Sequence, residues 1–166
     1  TRKLEIIEQR IKDWERLSAR QKLTLTEKEL SELIFEQTGN DKDFGTIRSR
    51  GDQALFGYTT GEMKTKLSVP KNRPLADFLP TITIKAKDFA TEITIFNVRD
   101  KNIKQGHRIA WEHIRNNKGV RKLLLERGIK PEELPAEEDL KKLERRGKSE
   151  DKKFIEKTDT LKKDNG

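Results

Sequence analysis

Apolar residues recur at intervals of three and four along most of the chain, and this spacing predicts α-helices with one buried face. A first apolar stripe over residues 1–23 belongs to a leading amphipathic helix. It consists of Leu4, Ile7, Ile11 and Trp14. Two heptads are too few for a coiled coil, so we expect the stripe to pack on the rest of the domain. The alternatives are self-association and docking to a region upstream, because the chain begins without Met inside a helical pattern.

Helix-start signals divide the next part of the chain. Thr26 and Glu29 have the spacing of a capping box, in which each side chain bonds a free backbone N–H, and they predict a second helix over 27–37. Asp41 is expected to cap a third helix that continues through Ile47. These signals predict two helices after the leading one.

A second capping box and an ambiguous apolar segment follow. Thr59 with Glu62 predicts a short helix that ends before Pro70. Residues 79–100 contain alternating Ile and Thr, as a strand would, but they also fit a helical face. We favour the helix because no hairpin turn separates the alternating runs. Its predicted apolar face is Ile82, Ala86, Phe89, Ile93 and Phe96.

The remaining pattern is helical from Asn102 to Arg127, with a weak point around Asn116, Asn117 and Gly119. Residues 136–166 are strongly charged and are expected to be partly helical and partly disordered. The sequence therefore predicts an all-α, irregular domain of about five to seven helices over residues 1–135. The charged segment forms its C-terminal tail.

Composition limits the chemistry that the chain can support. Of its 166 residues, 31% are hydrophobic and 40% are charged, and the mean hydropathy is −0.95. There is no cysteine, and two histidines offer little for a metal site, so we predict no metal and no cofactor. No apolar run reaches the roughly 18 residues of a membrane span, and no signal peptide is recognisable. A cytoplasmic protein without membrane contact is expected.

The positive charge is concentrated in two segments. The formal net charge is +8, and residues 101–129 contain eight Lys and Arg against two Glu. On a continuous helix, five of these cations and one indole would share a face. The predicted nucleic-acid-binding residues are Lys104, Arg108, Trp111, Arg115, Lys118 and Lys122. Cations with an interleaved aromatic side chain are typical of sites for single-stranded nucleic acid. The alternative is a solvated helix face on which the indole packs under a neighbour.

The second basic segment surrounds two glycines, Gly51 and Gly57. It contains Arg48, Arg50, Lys64, Lys66, Lys71 and Arg73. Glycine allows a backbone to approach phosphate closely, although these glycines are more often turn residues. His113 falls on the apolar face of its helix and is expected to be a hydrogen-bonded core residue near Asn117.

Catalytic patterns are weak throughout the chain. It contains neither G-x-x-x-x-G-K-[ST] nor G-x-G-x-x-G. The neighbouring carboxylates of 132–133 and 137–139 lie in polar segments that would not raise their pKa for acid catalysis. We predict a non-enzymatic protein, with a metal-dependent nuclease as a minor alternative.

Several short motifs resemble the C-terminal half of the bacterial DNA-damage-inducible protein D (DinD) family over residues 1–146. They are Thr1-Arg-Lys, Gly51-x-x-x-Leu55-Phe56-Gly57, Lys71-Asn72 with Leu75 and Asp77, His113 with Val120-Arg121, and Pro131-Glu-Glu-Leu-Pro135. The family's N-terminal half, which is similar to a phage BRO-type domain, is not in this sequence. Between His113 and Val120 this sequence departs from the Val-Gly-Lys-like stretch that is usual in the family.

The resemblance implies a non-catalytic module of a bacterial SOS-response protein that acts on single-stranded DNA or on a recombinase–DNA filament. The absent N-terminal half would be a further partner, and a homo-oligomer is possible. The alternative is a protein-interaction or dimerisation module that uses the leading stripe and does not contact nucleic acid.

Overall fold

A computed structural model describes residues 1–165, over which the chain forms six α-helices and two short 3-10 helices. The α-helices are α1 (Arg2–Thr38), α2 (Phe44–Phe56), α3 (Thr60–Lys66), α4 (Thr81–Asp100), α5 (Gly106–Glu126) and α6 (Leu140–Asp164). The 3-10 helices span Leu75–Phe78 and Pro131–Glu133. The predicted all-α fold is confirmed.

Four of the helices pack side by side. α4 lies between α1 and α5, and α2 packs on the other side of α5. One apolar cluster joins α1, α4 and α5 through side chains such as Ile34, Val98 and Ile109. A second cluster, which includes Leu23 and Phe56, also takes in the 3-10 helix Leu75–Phe78 and the start of α6. The core thus holds α5 by one face and leaves its other face to solvent.

α1 is one continuous helix, and the predicted break before Glu27 is wrong. Thr26 is 1% exposed, and its hydroxyl donates to the carbonyl of Lys22 at 2.9 Å, so it caps no helix. The helix ends at Gly39, where φ is +73°. α2 begins at Phe44 and not after Asp41, with Asp43 in the cap position. The capping-box pattern at Thr26 favours the start of a new helix there. Packing of α1 against α4 and α5 overrides this local preference, so α1 continues without a break.

The predicted helices that correspond to α3 and α4 are both present in the structure. Thr59 and Glu62 form the capping box, and residues 81–100 are helical. The predicted apolar face of α4 is nevertheless wrong, because Ile82, Phe89 and Phe96 are exposed. Of the predicted face only Ala86 is buried. The buried side chains of α4, most of them small or polar, are Thr83, Ile84, Ala86, Lys87, Ala90, Thr91, Thr94, Ile95 and Val98. Small side chains let α4 fit between two neighbouring helices.

The first half of α1 and most of α6 extend away from the packed helices. The leading stripe of Leu4, Ile7, Ile11 and Trp14 is between 49% and 67% exposed, so the expectation that it packs on the domain is wrong. On α6 only Leu140 and Leu143 are buried. The segment predicted as a charged, partly disordered tail is helical to Asp164, and the structure does not show its disorder.

Candidate nucleic-acid interface

The outer face of α5 carries most of the predicted basic stripe. Arg108, Trp111, Arg115, Lys118 and Lys122 are all exposed on one continuous helix that Asn116, Asn117 and Gly119 do not interrupt. Trp111 is 64% exposed, which excludes the alternative that a neighbour covers it. Lys104 precedes the helix start at Gly106, so the prediction that it continues the stripe is wrong.

We call Arg108, Trp111, Arg115, Lys118 and Lys122 the basic stripe. No carboxylate in residues 1–165 forms an ion pair with any of its four cations. The guanidinium carbon of Arg115 lies 5.8 Å from the centroid of the Trp111 ring, within the range of a cation–π contact. The positive charge of this face is therefore available to a ligand.

The carboxylates of α5 do not neutralise the basic stripe. Glu112 is buried and accepts hydrogen bonds from the side-chain amides of Asn97 and Asn116. Glu126 is the last residue of the helix. Acidic side chains of α5 are thus directed into the fold or placed at its end.

The inner face of α5 contains a buried histidine, as expected. The Nδ1 atom of His113 lies 2.8 Å from Thr94 Oγ1, and the Thr94 hydroxyl itself donates to the carbonyl of Ala90. We therefore assign the proton to Nδ1, which leaves Nε2 to accept from Asn117 at 3.4 Å. Burial lowers the pKa of His113 to about 4. His113 is a neutral part of the core.

A buried ion pair beside His113 could not be found from the sequence. Lys87 of α4 donates to one oxygen of Asp52 on α2 at 2.9 Å, and Thr60 donates to the other at 2.8 Å. The two charged side chains are 8% and 4% exposed. Nothing in the local pattern brings a lysine of α4 to an aspartate of α2. The pair aligns α2, α3 and α4 beneath α5.

Three of the motifs that carried the family resemblance meet around the interface of α2 and α5, and they are the ones that begin at Gly51, His113 and Pro131. A Cβ atom on Gly51 would lie 2.5 Å from His113 Nε2, so only glycine lets the helices approach this closely. Arg121 donates to the carbonyl of Leu55 and, through two nitrogens, to the carboxylate of Glu132. The hydrogen bonds from Arg121 lower the pKa of Glu132. These three motifs therefore hold α5 in place and do not belong to its exposed face.

The six cations of the second basic segment do not form one surface. Arg48 pairs with Glu27 of α1 at 3.3 Å. Arg73 pairs with Asp77 and Asp139 and lowers the pKa of Asp139, which caps α6. The structure thus uses part of the predicted cluster to join helices.

The other four cations of this segment differ in their surroundings. Lys66 lies over the Tyr58 ring at 5.5 Å, and Lys64 contacts the carbonyl of Lys71 at 3.4 Å. Arg50, Lys64 and Lys71 have no carboxylate partner within residues 1–165. Gly57 ends α2 with φ of +74° and is a turn residue. The second basic segment therefore offers fewer unpaired cations than predicted, and they do not form one continuous surface.

Two kinds of feature are absent from the part of the chain that the structure describes. In residues 1–165 no three His, Asp or Glu side chains come together as a metal site. None of the helices described there has both the length and the apolar composition that a membrane-spanning helix requires.

The chain matches the sequence model of a known protein family. The sequence model of a family described as the DinD C-terminal domain matches residues 11–143. No curated protein matches the chain.

Proposed function

Because this chain belongs to the family of the DinD C-terminal domain and is therefore related to DNA damage, we propose that it is a DNA-binding module of a damage-response protein. The proposed ligand is single-stranded DNA, free or within a recombinase filament. The ligand binds on the basic stripe of α5, and the module itself is non-catalytic. A bacterial SOS response is the proposed context.

The exposed, unpaired cations on one continuous helix carry this proposal. From Arg108 to Lys122 the stripe extends for about 21 Å, from a rise of roughly 1.5 Å per residue. Each cation can contact a phosphate, while Trp111, one turn from the Arg108 end of the stripe, offers its ring to a base. The Trp111 ring is 64% exposed and is therefore accessible to a base.

The experiment measures affinity for a single-stranded oligodeoxythymidine at several salt concentrations. Four phosphate contacts give a slope of log K against log salt of about −2.8, from roughly −0.7 per contact. Replacing Arg115 and Lys118 with Ala should bring the slope about 1.4 closer to zero. The matched control replaces Lys152 and Lys153 of α6, which are also exposed, and should leave the slope unchanged.

Trp111 supplies an independent measurement. Trp111→Ala should weaken binding by about 1–3 kcal/mol and keep most of the salt slope, because stacking does not depend on counterion release. In a Trp14→Phe background Trp111 is the single indole, and its fluorescence should be quenched by the oligonucleotide. Absence of both quenching and binding at low salt would contradict the proposal.

The exposed leading stripe of α1 supports a second candidate, a protein-interaction or dimerisation module. Four large apolar side chains on one exposed helical face are typical of a surface that meets another protein. The occupant would be a second copy or another region of a longer protein. Replacing Ile7 and Ile11 with Asp should then lower the sedimentation coefficient of the assembly. Unchanged sedimentation and stability, in this chain and in a longer form, would remove this candidate.

A further inference from the structure

The outward face of α4 carries a row of large apolar side chains that no other part of residues 1–165 covers. Ile82, Phe89 and Phe96 follow one another at intervals of seven residues. Phe89 is 57% and Phe96 is 68% exposed. The two rings lie about 10 Å apart along the helix, from a rise of roughly 1.5 Å per residue. α4 therefore exposes the aromatic side chains that its amphipathic pattern would bury.

This aromatic row runs beside the basic stripe of α5. Asn97 bonds Glu112, and Thr94 accepts from Asn116, so the two helices are antiparallel. In this register Phe96 is level with the residues that follow Glu112, and Phe89 is level with those around Val120. The two rings therefore flank the length of α5 that contains Arg115 and Lys118, and Trp111 lies just beyond Phe96.

The edge of α5 between the two rows leaves room for a ligand. A Cβ atom added to Gly119 would meet nothing within 4 Å, so this position of α5 is open to solvent. Leu123, one turn further along, is exposed and extends the apolar surface. A flat ring could therefore reach the aromatic row from the basic stripe.

The distribution of charge favours binding of a polyanion on the side of α4 that faces α5. Phe96 also borders a groove toward α1, which is lined by Glu29, Glu92, Arg99 and Asp100. Arg99 is paired with Glu29, so the net charge of that groove is negative and would repel phosphate. On the α5 side Glu112 is buried, and the four stripe cations are unpaired within residues 1–165.

The geometry points to Phe89 and Phe96 as a second base-stacking platform for the strand bound by the basic stripe. The inference rests on the proposed function and deepens it. The single strand lies along the groove between α4 and α5, with phosphates over Arg115, Lys118 and Lys122. Its bases turn toward α4 and stack on the two rings, as unpaired bases do on exposed aromatic side chains.

The test compares two single-stranded probes of equal length, an oligodeoxythymidine and an abasic sugar-phosphate oligomer, by fluorescence anisotropy. Phe89→Ala and Phe96→Ala should each weaken binding of the oligodeoxythymidine at least about fivefold, from roughly 1 kcal/mol or more per stacked base. Binding of the abasic probe and the salt slope should not change. Phe96→Tyr, which keeps the ring, should bind as the wild type does. Phe154→Ala on α6, another exposed phenylalanine, is the matched control.

The outcomes separate this inference from the proposed function. If the wild type binds neither probe at low salt, the proposed function fails and the inference fails with it. If the α5 variants lose affinity while both Phe variants bind the oligodeoxythymidine as the wild type does, the inference alone is overturned. A change of sedimentation in the Phe variants without loss of binding would assign the face to a second copy and would also overturn it.

Discussion

Replacing Gly51 with Ala should destabilise the protein, although alanine is the better helix former. The new Cβ atom would lie 2.5 Å and 2.6 Å from two atoms of the His113 ring and 3.0 Å from the Asn117 amide. The ring cannot turn away freely, because its Nδ1 atom bonds Thr94 inside the core. The substitution therefore forces apart two helices that are otherwise well packed.

The expected magnitude follows from two opposing effects. Overpacking a core costs about 1–3 kcal/mol, and weakening the His113–Thr94 hydrogen bond adds roughly 1 kcal/mol. Helix propensity returns about 1 kcal/mol. The net loss of unfolding free energy is about 1–3 kcal/mol. For a chain of this length this lowers Tm by roughly 2–12 °C.

Thermal and denaturant unfolding, followed by far-UV circular dichroism, measure this loss. Gly119→Ala is the matched control, since its Cβ atom would meet nothing within 4 Å, and it should stabilise α5 by about 0.5–1 kcal/mol. In a His113→Ala background, Gly51→Ala should lose most of its penalty. A Gly51→Ala protein that unfolds at or above the wild-type midpoint would refute the reasoning.

Three further substitutions test the core and one helix cap. Lys87→Met should cost about 3–5 kcal/mol in denaturant unfolding because it leaves Asp52 charged and buried, and the added change Asp52→Asn should recover part of that loss. Since the pKa of His113 is about 4 in the fold and about 6.5 when unfolded, the unfolded chain binds its proton first as pH falls. The unfolding free energy of the wild type should therefore drop by up to about 3 kcal/mol from pH 6.5 to pH 4. In denaturant unfolding at a series of pH values, His113→Gln should not show this drop. Thr59→Ala should cost about 1 kcal/mol in thermal unfolding by removing the cap of α3, and an unchanged Tm would contradict the capping role.

Local sequence signals predicted those elements whose ends are set by their own residues. The capping box of Thr59 and Glu62 and the end of the helix predicted over 27–37, which the structure places at Thr38, are of this kind, since each needs only a few neighbouring atoms. The similar pattern at Thr26 misled because long-range packing keeps α1 helical there, and its hydroxyl finds a partner within the helix.

The candidate site was predictable in part for the same reason. The helical spacing placed Arg108, Trp111 and Arg115 on one face, and they share that face in the structure. Lys104 was assigned wrongly because the helix start depends on how the preceding turn packs. The exposed row of Phe89 and Phe96 was assigned to the core, because periodicity identifies a face and does not say whether a neighbour covers it.

The two ends of α1 should differ in how often their backbone hydrogen bonds break. Its first 14 residues touch the rest of residues 1–165 mainly through exposed ion pairs, such as Arg10 with Glu150. A helical segment this short is marginal in water without packing, whereas residues from Ala19 onward are anchored in the core. Amide hydrogen exchange should therefore be fast near Ile7 and slow near Leu30, within one uninterrupted helix. Any partner that binds the leading stripe must therefore also supply the free energy that keeps the first turns of α1 helical.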